Sequence, residues 1–345
     1  MSTPDTLVIG STGLIGRWLI PELTRQGRHV AAMVRNADVR GDELRGWVAA
    51  HGGDTELLTV VDGDLTAPGL GLDPLPTVRD VYNLGGRFAF GLTKGEARAV
   101  NVDGALAALR WAQALPSLRR FVHISGYRVA DAPVSEKLYR DKGAYEASKV
   151  EADHAVRDHA EAHGIPYAIV NPSTVIGDST TGETTQFIGL AAMVRDLHAG
   201  KLPVIPGGKD VWVPVVTADY FARFLAAVPE HAEPGAALWV LDEDTPLLGE
   251  LLRILAESLD VRPPRLHVPI GVIRRLPAKL TGADPETLGF LSADRYPTES
   301  ARELAGRAGL AFPPLLPALR AWTDHLVATD FGAQDPAPTT QASVR

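Results

Sequence analysis

A tyrosine and a lysine four residues apart, Tyr145 and Lys149, have the types and spacing in this chain that best suit proton transfer. Residues four apart lie on one face of a helix, so the phenol and the ammonium can share one site. A free tyrosine has a pKa of about 10, and a nearby lysine charge favours the phenolate and brings that pKa towards neutrality. We expect Tyr145 to exchange a proton with a carbonyl or alcohol while a cofactor carries the hydride. The alternative is a pair of surface residues on a helix.

Three glycines, Gly10, Gly13 and Gly16, stand between a short apolar run and a helical pattern. Gly10 allows a sharp turn, Gly13 lets the backbone approach a pyrophosphate, and Gly16 allows close packing of helix on strand. The diphosphate would lie on the free N–H groups at the helix start, where the helix dipole favours an anion. The segment predicts a dinucleotide site, with a plain tight turn as the alternative. The expected contacts come from Gly10, Thr12, Gly13, Leu14, Ile15, Gly16 and Arg17.

The end of the second apolar run favours NADP(H) over NAD. A carboxylate at that position would hold the ribose diol of NAD and repel a 2′-phosphate. The run ends instead in Arg35 and Asn36. Arg35 can pair with a 2′-phosphate through its planar guanidinium, and Arg17 is placed to add a second cation. NAD remains the alternative, in which Arg35 is a solvated residue at a strand end.

The elements that would position these residues alternate through the first half of the chain. Short apolar runs separated by helical patterns predict a doubly wound α/β fold with a parallel sheet covered on both faces. The runs lie at 7–9, 30–34, 57–61, 81–84, 121–124 and 167–170, and long helices are predicted at 95–114 and 144–163. After about residue 177 prolines become frequent and helices dominate, which predicts a smaller, helix-rich C-terminal lobe.

The predicted domains follow from this change of pattern. Residues 1–177 form the dinucleotide-binding domain, and 211–243 return to it because 211–216 and 238–241 look like strands of the main sheet. Residues 178–210 and 244–330 form the substrate lobe. The polar segment 331–345 has no periodicity and is predicted to be a disordered tail.

The composition argues against several classes of function. The net charge of −8 over 345 residues disfavours a nucleic-acid partner or an anionic membrane surface. The chain has no cysteine, which excludes disulfides, thiolate metal ligands and a cysteine nucleophile. No apolar stretch approaches the ~20 residues that span a bilayer, and no signal peptide is evident. We expect a cytoplasmic protein with no metal site.

These motifs resemble those of the extended branch of the short-chain dehydrogenase/reductase superfamily. That branch includes sugar-nucleotide epimerases, hydroxysteroid-type dehydrogenases and flavonol-type reductases. The likeness extends over about residues 6 to 325. Beyond the glycine turn and the Tyr145–Lys149 pair, it rests on Gly-Asp-Leu at 63–65, Tyr-Asn-Leu-Gly-Gly at 82–86, Asn-Val-Asp-Gly at 101–104, Asn-Pro-Ser-Thr-Val-Ile-Gly at 171–177, and Val-Pro-Val-Val at 213–216 followed by Asp219.

The resemblance implies a Rossmann fold, specificity that resides in the C-terminal lobe, and a homodimer that packs long helices together. It also implies that Lys149 holds the nicotinamide ribose and that Asn101 supports the active site. The other cofactor contacts that it implies lie at strand ends: Asp64 and Leu65 at the adenine, then Leu84, Gly85 and Gly86, and then Pro172, Thr174 and Val175 against the nicotinamide.

One position departs from the family pattern. The family's catalytic serine or threonine usually closes a Ser-Ser or Ser-Thr pair at the end of the fifth strand, but here the strand ends Ser125-Gly126-Tyr127. Because side chains alternate across a strand, Ser125 needs a local twist to orient the substrate oxygen. We predict that Ser125 takes this role. The alternatives are that the donor is missing or that Tyr127 replaces it.

Together these features predict an NADP(H)-dependent oxidoreductase that acts on a small-molecule carbonyl or alcohol. Tyr145, Lys149, Ser125 and Asn101 are the predicted catalytic residues. One alternative is a redox-neutral nucleotide-sugar epimerase or dehydratase that uses bound NAD, which Arg35 disfavours. The other is a non-catalytic dinucleotide sensor, which the presence of both members of the Tyr145–Lys149 pair disfavours. The apolar loop 87–90 points to an apolar or aromatic carbonyl compound.

Overall fold

A parallel sheet of seven strands is the centre of the fold in the computed structural model, which describes residues 3–87, 91–129, 134–273, 288 and 291–333. Residues 88–90 of the predicted apolar loop, residues 130–133, and the predicted tail from residue 334 onwards lie outside the described residues. The strands, numbered in chain order, are β1 (Thr6–Ile9), β2 (Val30–Val34), β3 (Leu58–Asp62), β4 (Asp80–Asn83), β5 (Arg120–Ile124), β6 (Tyr167–Pro172), β7 (Thr174–Ile176), β8 (Ile205–Pro206), β9 (Val215–Thr217), β10 (Ala236–Val240) and β11 (His267–Val268).

The helices alternate with these strands through the first half of the chain. They are α1 (Leu14–Arg25), α2 (Ala37–Ala50), α3 (Lys94–Arg98), α4 (Gly104–Gln113), α5 (Glu136–Lys142), α6 (Ala144–Ala162), α7 (Leu190–His198), α8 (Ala218–His231), α9 (Leu248–Ser258), α10 (Ile270–Ile273), α11 (Glu299–Arg307) and α12 (Leu315–Ala328). No helix of the described residues is long and apolar enough to cross a bilayer.

The main sheet has the order β3-β2-β1-β4-β5-β6-β10, and every neighbouring pair runs parallel. This arrangement confirms the doubly wound Rossmann fold. The winding reverses between β1 and β4, where Ile9 lies opposite Asn83. Open α/β sheets bind ligands outside the carboxyl ends of their strands at such a reversal. The topology therefore places the predicted site residues, which follow strand ends, around one crevice.

Both faces of the sheet are covered, which explains why its strands read as continuous apolar runs. Successive side chains of a strand point to opposite faces. Val8 and Tyr82 belong to the core that includes residues of α1 and α8, whereas Ile9 and Val81 belong to the core that includes residues of α4 and α6. The backbone at the strand ends is thus held from both sides.

Pro21 lies inside α1, where a proline has no N–H to donate to the carbonyl one turn earlier. That carbonyl belongs to Arg17, and it accepts a hydrogen bond of 2.9 Å from the indole N–H of Trp47 on α2. The replacement donor satisfies the carbonyl and ties α2 to α1. The proline therefore does not interrupt the helix that follows the glycine turn.

Two predicted elements differ from the structure. The helix predicted over 95–114 is divided, because residues Ala99–Asp103 form a turn of π-helix between α3 and α4. The segment 211–216 does not return to the main sheet: β9 pairs with β7 in a separate two-stranded sheet, while β10 does pair with β6.

The chain divides into two compact units. The first contains residues 1–175, 214–242 and 294–312, and the second contains 176–213, 243–293 and 313–345. The stretch 294–312 carries α11, which packs against β10 and α8, so it belongs with the Rossmann unit and not with the predicted substrate lobe. The second unit is rich in helices and has a small sheet in which β8 pairs with β11. Within it, the indole N–H of Trp212 donates to the carbonyl of Thr245 at 2.7 Å.

Candidate active site

Tyr145 and Lys149 lie in the first two turns of α6. This helix starts directly after Gly143, whose backbone has a positive φ of +79°. The Lys149 ammonium donates to the carbonyl oxygen of Ile124, at the carboxyl end of β5, at 3.1 Å. Gly86, which follows β4, is the other neighbour, because a Cβ built there would lie 3.4 Å from Lys149 Nζ. The lysine is thus fixed between the ends of β4 and β5, at the crevice that the topology indicates.

Burial controls the protonation of both residues. It lowers the pKa of Lys149 to about 8, and the charge of Asp153 opposes this shift. Burial also raises the pKa of Tyr145 above its usual value, and the charge of Glu146 adds to the rise. The expectation that Lys149 brings the tyrosine pKa towards neutrality is therefore wrong for the protein alone, because desolvation of the phenolate and the charge of Glu146 both raise that pKa. At neutral pH the phenol keeps its proton.

Asn101 connects the loop after β4 to the helix that carries the pair. It lies in the π-helical turn, and such turns are frequent at functional sites. Its Oδ1 accepts from the N–H of Arg87 at 2.8 Å, and its Nδ2 donates to Ser148 Oγ at 2.8 Å. The Ser148 hydroxyl in turn donates to the carbonyl of Tyr145 at 2.8 Å. Asn101 thus holds the backbone on which Tyr145 stands, and Ser148, which the sequence analysis did not single out, completes the link.

Ser125 is buried just beyond β5, and its hydroxyl makes no hydrogen bond to any described residue. Its N–H donates to the carbonyl of Val170 at 2.9 Å, so the backbone continues the pairing of β5 with β6. A buried hydroxyl without a partner costs roughly 1–3 kcal/mol, and native structures keep few of them. The Ser125 hydroxyl therefore marks a place where a ligand group can bind.

His123 lies two residues before Ser125 on the same face of β5 and is neutral. Its Nδ1 is 3.2 Å from Nδ2 of Asn83, whose Oδ1 accepts from the N–H of Gly85 at 3.2 Å. The amide of Asn83 is thereby oriented to donate, so the histidine proton is assigned to Nε2. Burial lowers the pKa of His123 to about 3, and the charge of Lys149 contributes. Beside Lys149, His123 therefore adds no positive charge.

Gly126 and Tyr127 decide what can replace the family's usual serine. A Cβ at Gly126 would meet only a methyl carbon of Val129, at 4.0 Å, so the glycine is not required by crowding. Tyr127 is buried, and burial raises the pKa of its phenol while Thr174 hydrogen-bonds its side chain. Its ring packs edge-on against Tyr296 with the centroids 5.4 Å apart. Tyr127 therefore has a packing role, whereas Ser125 has an unused donor.

The glycine turn has the geometry that the sequence predicts. Gly10 has φ +86°, and a Cβ there would lie 2.8 Å from the backbone nitrogen of Gly85. A Cβ at Gly16 would lie 2.4 Å from the carbonyl oxygen of Gly10, which shows how closely α1 approaches the turn. Gly13 is the N-cap of α1, and no side chain caps the first turn. The free N–H groups of Leu14 and Ile15 therefore lie at a helix start suited to an anion.

The two arginines predicted near the adenine end have different surroundings. Arg35 is exposed just beyond β2. Arg17 is already engaged: its guanidinium pairs with Glu43, donates to the carbonyl of Thr12 at 3.1 Å and lies 5.0 Å from the Trp47 ring centre. Arg35 is thus the better candidate for a 2′-phosphate, and Arg17 supports the turn that contains Thr12.

The acidic groups at the neighbouring strand end are also engaged. Asp64 accepts from the N–H and the hydroxyl of Thr66 at 2.8 and 2.7 Å. Burial would raise the pKa of Asp64, but these hydrogen bonds and the charge of Arg35 outweigh it and lower the pKa. Asp62 ends β3 and accepts from the N–H of Ala37 at the start of α2 at 3.0 Å. Arg35 therefore lies close enough to Asp64 to stabilise its ionised form.

The remaining predicted cofactor residues lie at the same edge of the sheet. Leu65 is packed so closely on Gly85 that a Cβ there would lie 2.4 Å from Leu65 Cδ1. Pro172 ends β6, and its carbonyl accepts from the N–H of Tyr127 at 3.2 Å. The structure places Asn36, Leu84, Thr174 and Val175 after or near the ends of β2, β4 and β6. The predicted residues are therefore brought to one edge of the first unit.

Known proteins resemble this chain in sequence and in fold. The profile of an NAD-binding family described as male sterility protein matches residues 8–225. The NRPS-like oxidoreductase fscA of Fusarium equiseti is 28% identical over 194 residues, which are 52% of this chain and 19% of that protein. The chain thus spans about a fifth of the length of this relative.

Two solved structures share the fold. The terminal R domain from the myxalamid PKS-NRPS biosynthetic pathway has a TM-score of 0.79 and 19% identity, over 96% of this chain and 92% of that one. A variant of UDP-glucuronic acid 4-epimerase from Bacillus cereus, solved with NAD, has a TM-score of 0.66 and 16% identity, over 94% of this chain and 99% of that one. The family profile spans more than half of the sequence, and the chain belongs to the NAD-binding male sterility protein family, within the extended short-chain dehydrogenase/reductase superfamily.

Proposed function

We propose that this chain is an NADP(H)-dependent oxidoreductase that reduces a carbonyl compound, with Tyr145 as the proton donor. The observation that supports the proposal most directly is the arrangement at the end of β5. There the Lys149 ammonium is fixed on the carbonyl of Ile124, next to a buried Ser125 hydroxyl that has no partner among the described residues. A carbonyl oxygen is an acceptor that such a hydroxyl can bind.

The residues at the crevice fit a nicotinamide dinucleotide. The uncapped start of α1 suits a diphosphate, and Gly10 and Gly16 allow the close packing of the turn that places this helix start at the crevice, because a Cβ at either would collide with backbone. Arg35 would hold the 2′-phosphate, and Lys149 would hold the nicotinamide ribose. When bound, the cofactor supplies the hydride.

The chain's own residues then account for the proton. Ser125 donates a hydrogen bond to the substrate oxygen and orients it. Tyr145 is protonated at neutral pH because burial raises its pKa, so it can donate its proton to that oxygen as the carbonyl is reduced. Lys149, whose pKa is about 8, is mostly charged at pH 7 and stabilises the phenolate that remains. Asn101 and Ser148 hold the helix backbone at Tyr145.

The direction of the reaction is supported by the names of the relatives. One is an oxidoreductase and one is the terminal R domain of a PKS-NRPS pathway. Reduction of a carbonyl compound needs a hydride donor, and Arg35 favours NADPH as that donor. The substrate class proposed for this chain is an aldehyde or ketone.

The test is the oxidation of NADPH, with NADH in parallel, over a panel of aldehydes and ketones. Tyr145→Phe should bind cofactor normally and lose turnover by about 10²–10⁴-fold, the usual contribution of a general acid. Tyr167→Phe is the matched control, because Tyr167 begins β6, at the end of the strand away from the site, and its hydroxyl donates to Glu161 at 2.9 Å. Unchanged turnover in Tyr145→Phe would remove the tyrosine from the mechanism. Absence of net consumption with either cofactor, together with copurified NAD, would favour the epimerase alternative.

A further inference from the structure

Glu146, the residue after Tyr145 on α6, has a buried carboxylate. Its side chain is 8% exposed, and its Oε1 accepts from the Lys142 ammonium at 2.7 Å. The guanidinium Nε of Arg128 lies 3.5 Å from the same oxygen, and the Arg128 side chain is 13% exposed. A buried carboxylate is costly unless it is paired, and here two cations pair with it.

The position of Glu146 does not explain its burial. An acidic residue in the first turn of a helix stabilises the helix dipole, but a solvent-exposed side chain serves that purpose as well. The carboxylate instead points to two cations from other segments: Lys142 ends α5, and Arg128 lies in the loop after β5. The Glu146 side chain therefore links α6 to the end of α5 and to the loop after β5.

The loop that Arg128 occupies is the one that carries Ser125. On the side of the sheet it is held through backbone atoms: the N–H of Tyr127 donates to the carbonyl of Pro172, and the indole of Trp239 donates to the carbonyl of Tyr127 at 3.0 Å. The Arg128–Glu146 ion pair fastens the same loop to α6, one residue from Tyr145. Neither of the two residues between Ser125 and Arg128 has a described side-chain hydrogen bond or ion pair to α6, since Gly126 has no side chain and Tyr127 packs on Tyr296.

We propose that Glu146 is a positioning residue, which through its ion pair with Arg128 holds the Ser125 loop at a fixed distance from the Tyr145 phenol. This proposal rests on the proposed function, because it concerns the two hydroxyls that would bind the same substrate oxygen. Loss of the pair lets the loop and the helix shift relative to each other. Misplacement by about 1 Å in an active site can lower turnover by about 10²-fold.

The variants are Glu146→Gln, Arg128→Gln, the double variant, and Arg128→Lys. Each single neutralisation should lower kcat by about 10- to 100-fold, while KM for the carbonyl substrate and the Kd of NADPH change less than about threefold. The double variant should be no slower than either single one, because both disable the same contact. Arg128→Lys keeps the charge and should retain most of the activity. Glu161→Gln, an exposed acid on the same helix, is the matched control.

Several results would overturn the proposal. A folded Glu146→Gln enzyme with a lower Tm but unchanged kcat would make the ion pair purely structural. Losses that add in the double variant would give the two residues independent roles. If Glu146→Gln fails to fold, Arg128→Lys decides, and a loss as large as that of Arg128→Gln would count against the pair. A wild-type chain with no turnover on any carbonyl compound is a different outcome, which defeats the proposed function itself.

Discussion

Substitution of Gly16 by alanine tests whether the close approach of α1 to the glycine turn matters for the cofactor. The added Cβ would lie 2.4 Å from the carbonyl oxygen of Gly10 and 2.8 Å from the Cα of Ser11. Ordinary contacts of a Cβ start at about 3.4 Å, so the helix and the turn must separate by roughly 1 Å, and the atoms in the way are backbone atoms.

The expected magnitude follows from two opposing terms. Overpacking against rigid neighbours destabilises by about 1–3 kcal/mol, at the upper end where backbone has to move. Alanine gains about 1 kcal/mol over glycine inside a helix. We therefore expect a net destabilisation of about 2 kcal/mol. The shift also displaces the N–H groups that face the diphosphate, and loss of one hydrogen bond to a charged group, about 1.5–3 kcal/mol, weakens NADPH binding about 10- to 100-fold.

The assay combines a denaturant or thermal unfolding curve with a fluorescence titration of NADPH. Gly46→Ala is the matched control, because this glycine lies in α2 with nothing within 4 Å of a built Cβ. That variant should gain up to about 1 kcal/mol and bind NADPH normally. A Gly16→Ala protein with wild-type stability and wild-type NADPH affinity would refute the assignment of this turn to the diphosphate.

Four further substitutions test the charges and hydroxyls of the site. Burial lowers the pKa of Lys149 to about 8 from 10.5 in the unfolded chain, so its charged form destabilises the fold below about pH 8, and this destabilisation fades as the pH rises from 8 to 10.5. Lys149→Met should therefore raise Tm more at pH 7 than at pH 10, while turnover is lost. Equal Tm shifts at both pH values would argue against a destabilising lysine charge. Ser125→Ala should lower kcat about 10- to 100-fold through one lost hydrogen bond. Gly126→Ser fits without a collision and should leave Tm unchanged, and added to Ser125→Ala it should not restore turnover. Restored turnover in that double variant would show that a serine at position 126 can donate the hydrogen bond to the substrate. Arg35→Ala should weaken NADPH about 10-fold or more and leave NADH unaffected in parallel titrations, since only NADPH presents a phosphate to the guanidinium.

The local sequence predicts which segments form strands, but it does not predict which other segment a strand pairs with when the two are distant in the chain. Strands buried on both faces are continuous apolar runs, so β1 to β6 could be placed from the sequence, and β10 could be returned to the sheet. The run 211–216 looks equally strand-like, but Pro214 removes a donor and Trp212 bridges to Leu247 and Ser292 in the second unit. Which strand a segment pairs with is set by tertiary contacts that a run of apolar residues does not encode.

The site shows the same division. Spacing alone identifies Tyr145 and Lys149 as neighbours on a helix, and the glycine turn is recognisable by its position between strand and helix. Spacing does not show burial, which is why the direction of the Tyr145 pKa shift was wrong. The sequence does not reveal the roles of Ser148 and Glu146, because their partners Asn101 and Arg128 lie in other elements, many residues earlier in the chain.

The buried polar groups at the end of β5 and β6 have a common physical meaning. Ser125 Oγ, Asn171 Oδ1 and Nε2 of His123 are buried with no hydrogen-bond partner in the described chain, and Lys149 has a lowered pKa. Each lowers the stability of the protein alone. Such groups persist when a bound ligand supplies the missing partner. Because a ligand that binds only the folded state stabilises it, NADPH and a carbonyl compound together should raise Tm more than NADPH alone, and Ser125→Ala should remove that added increment.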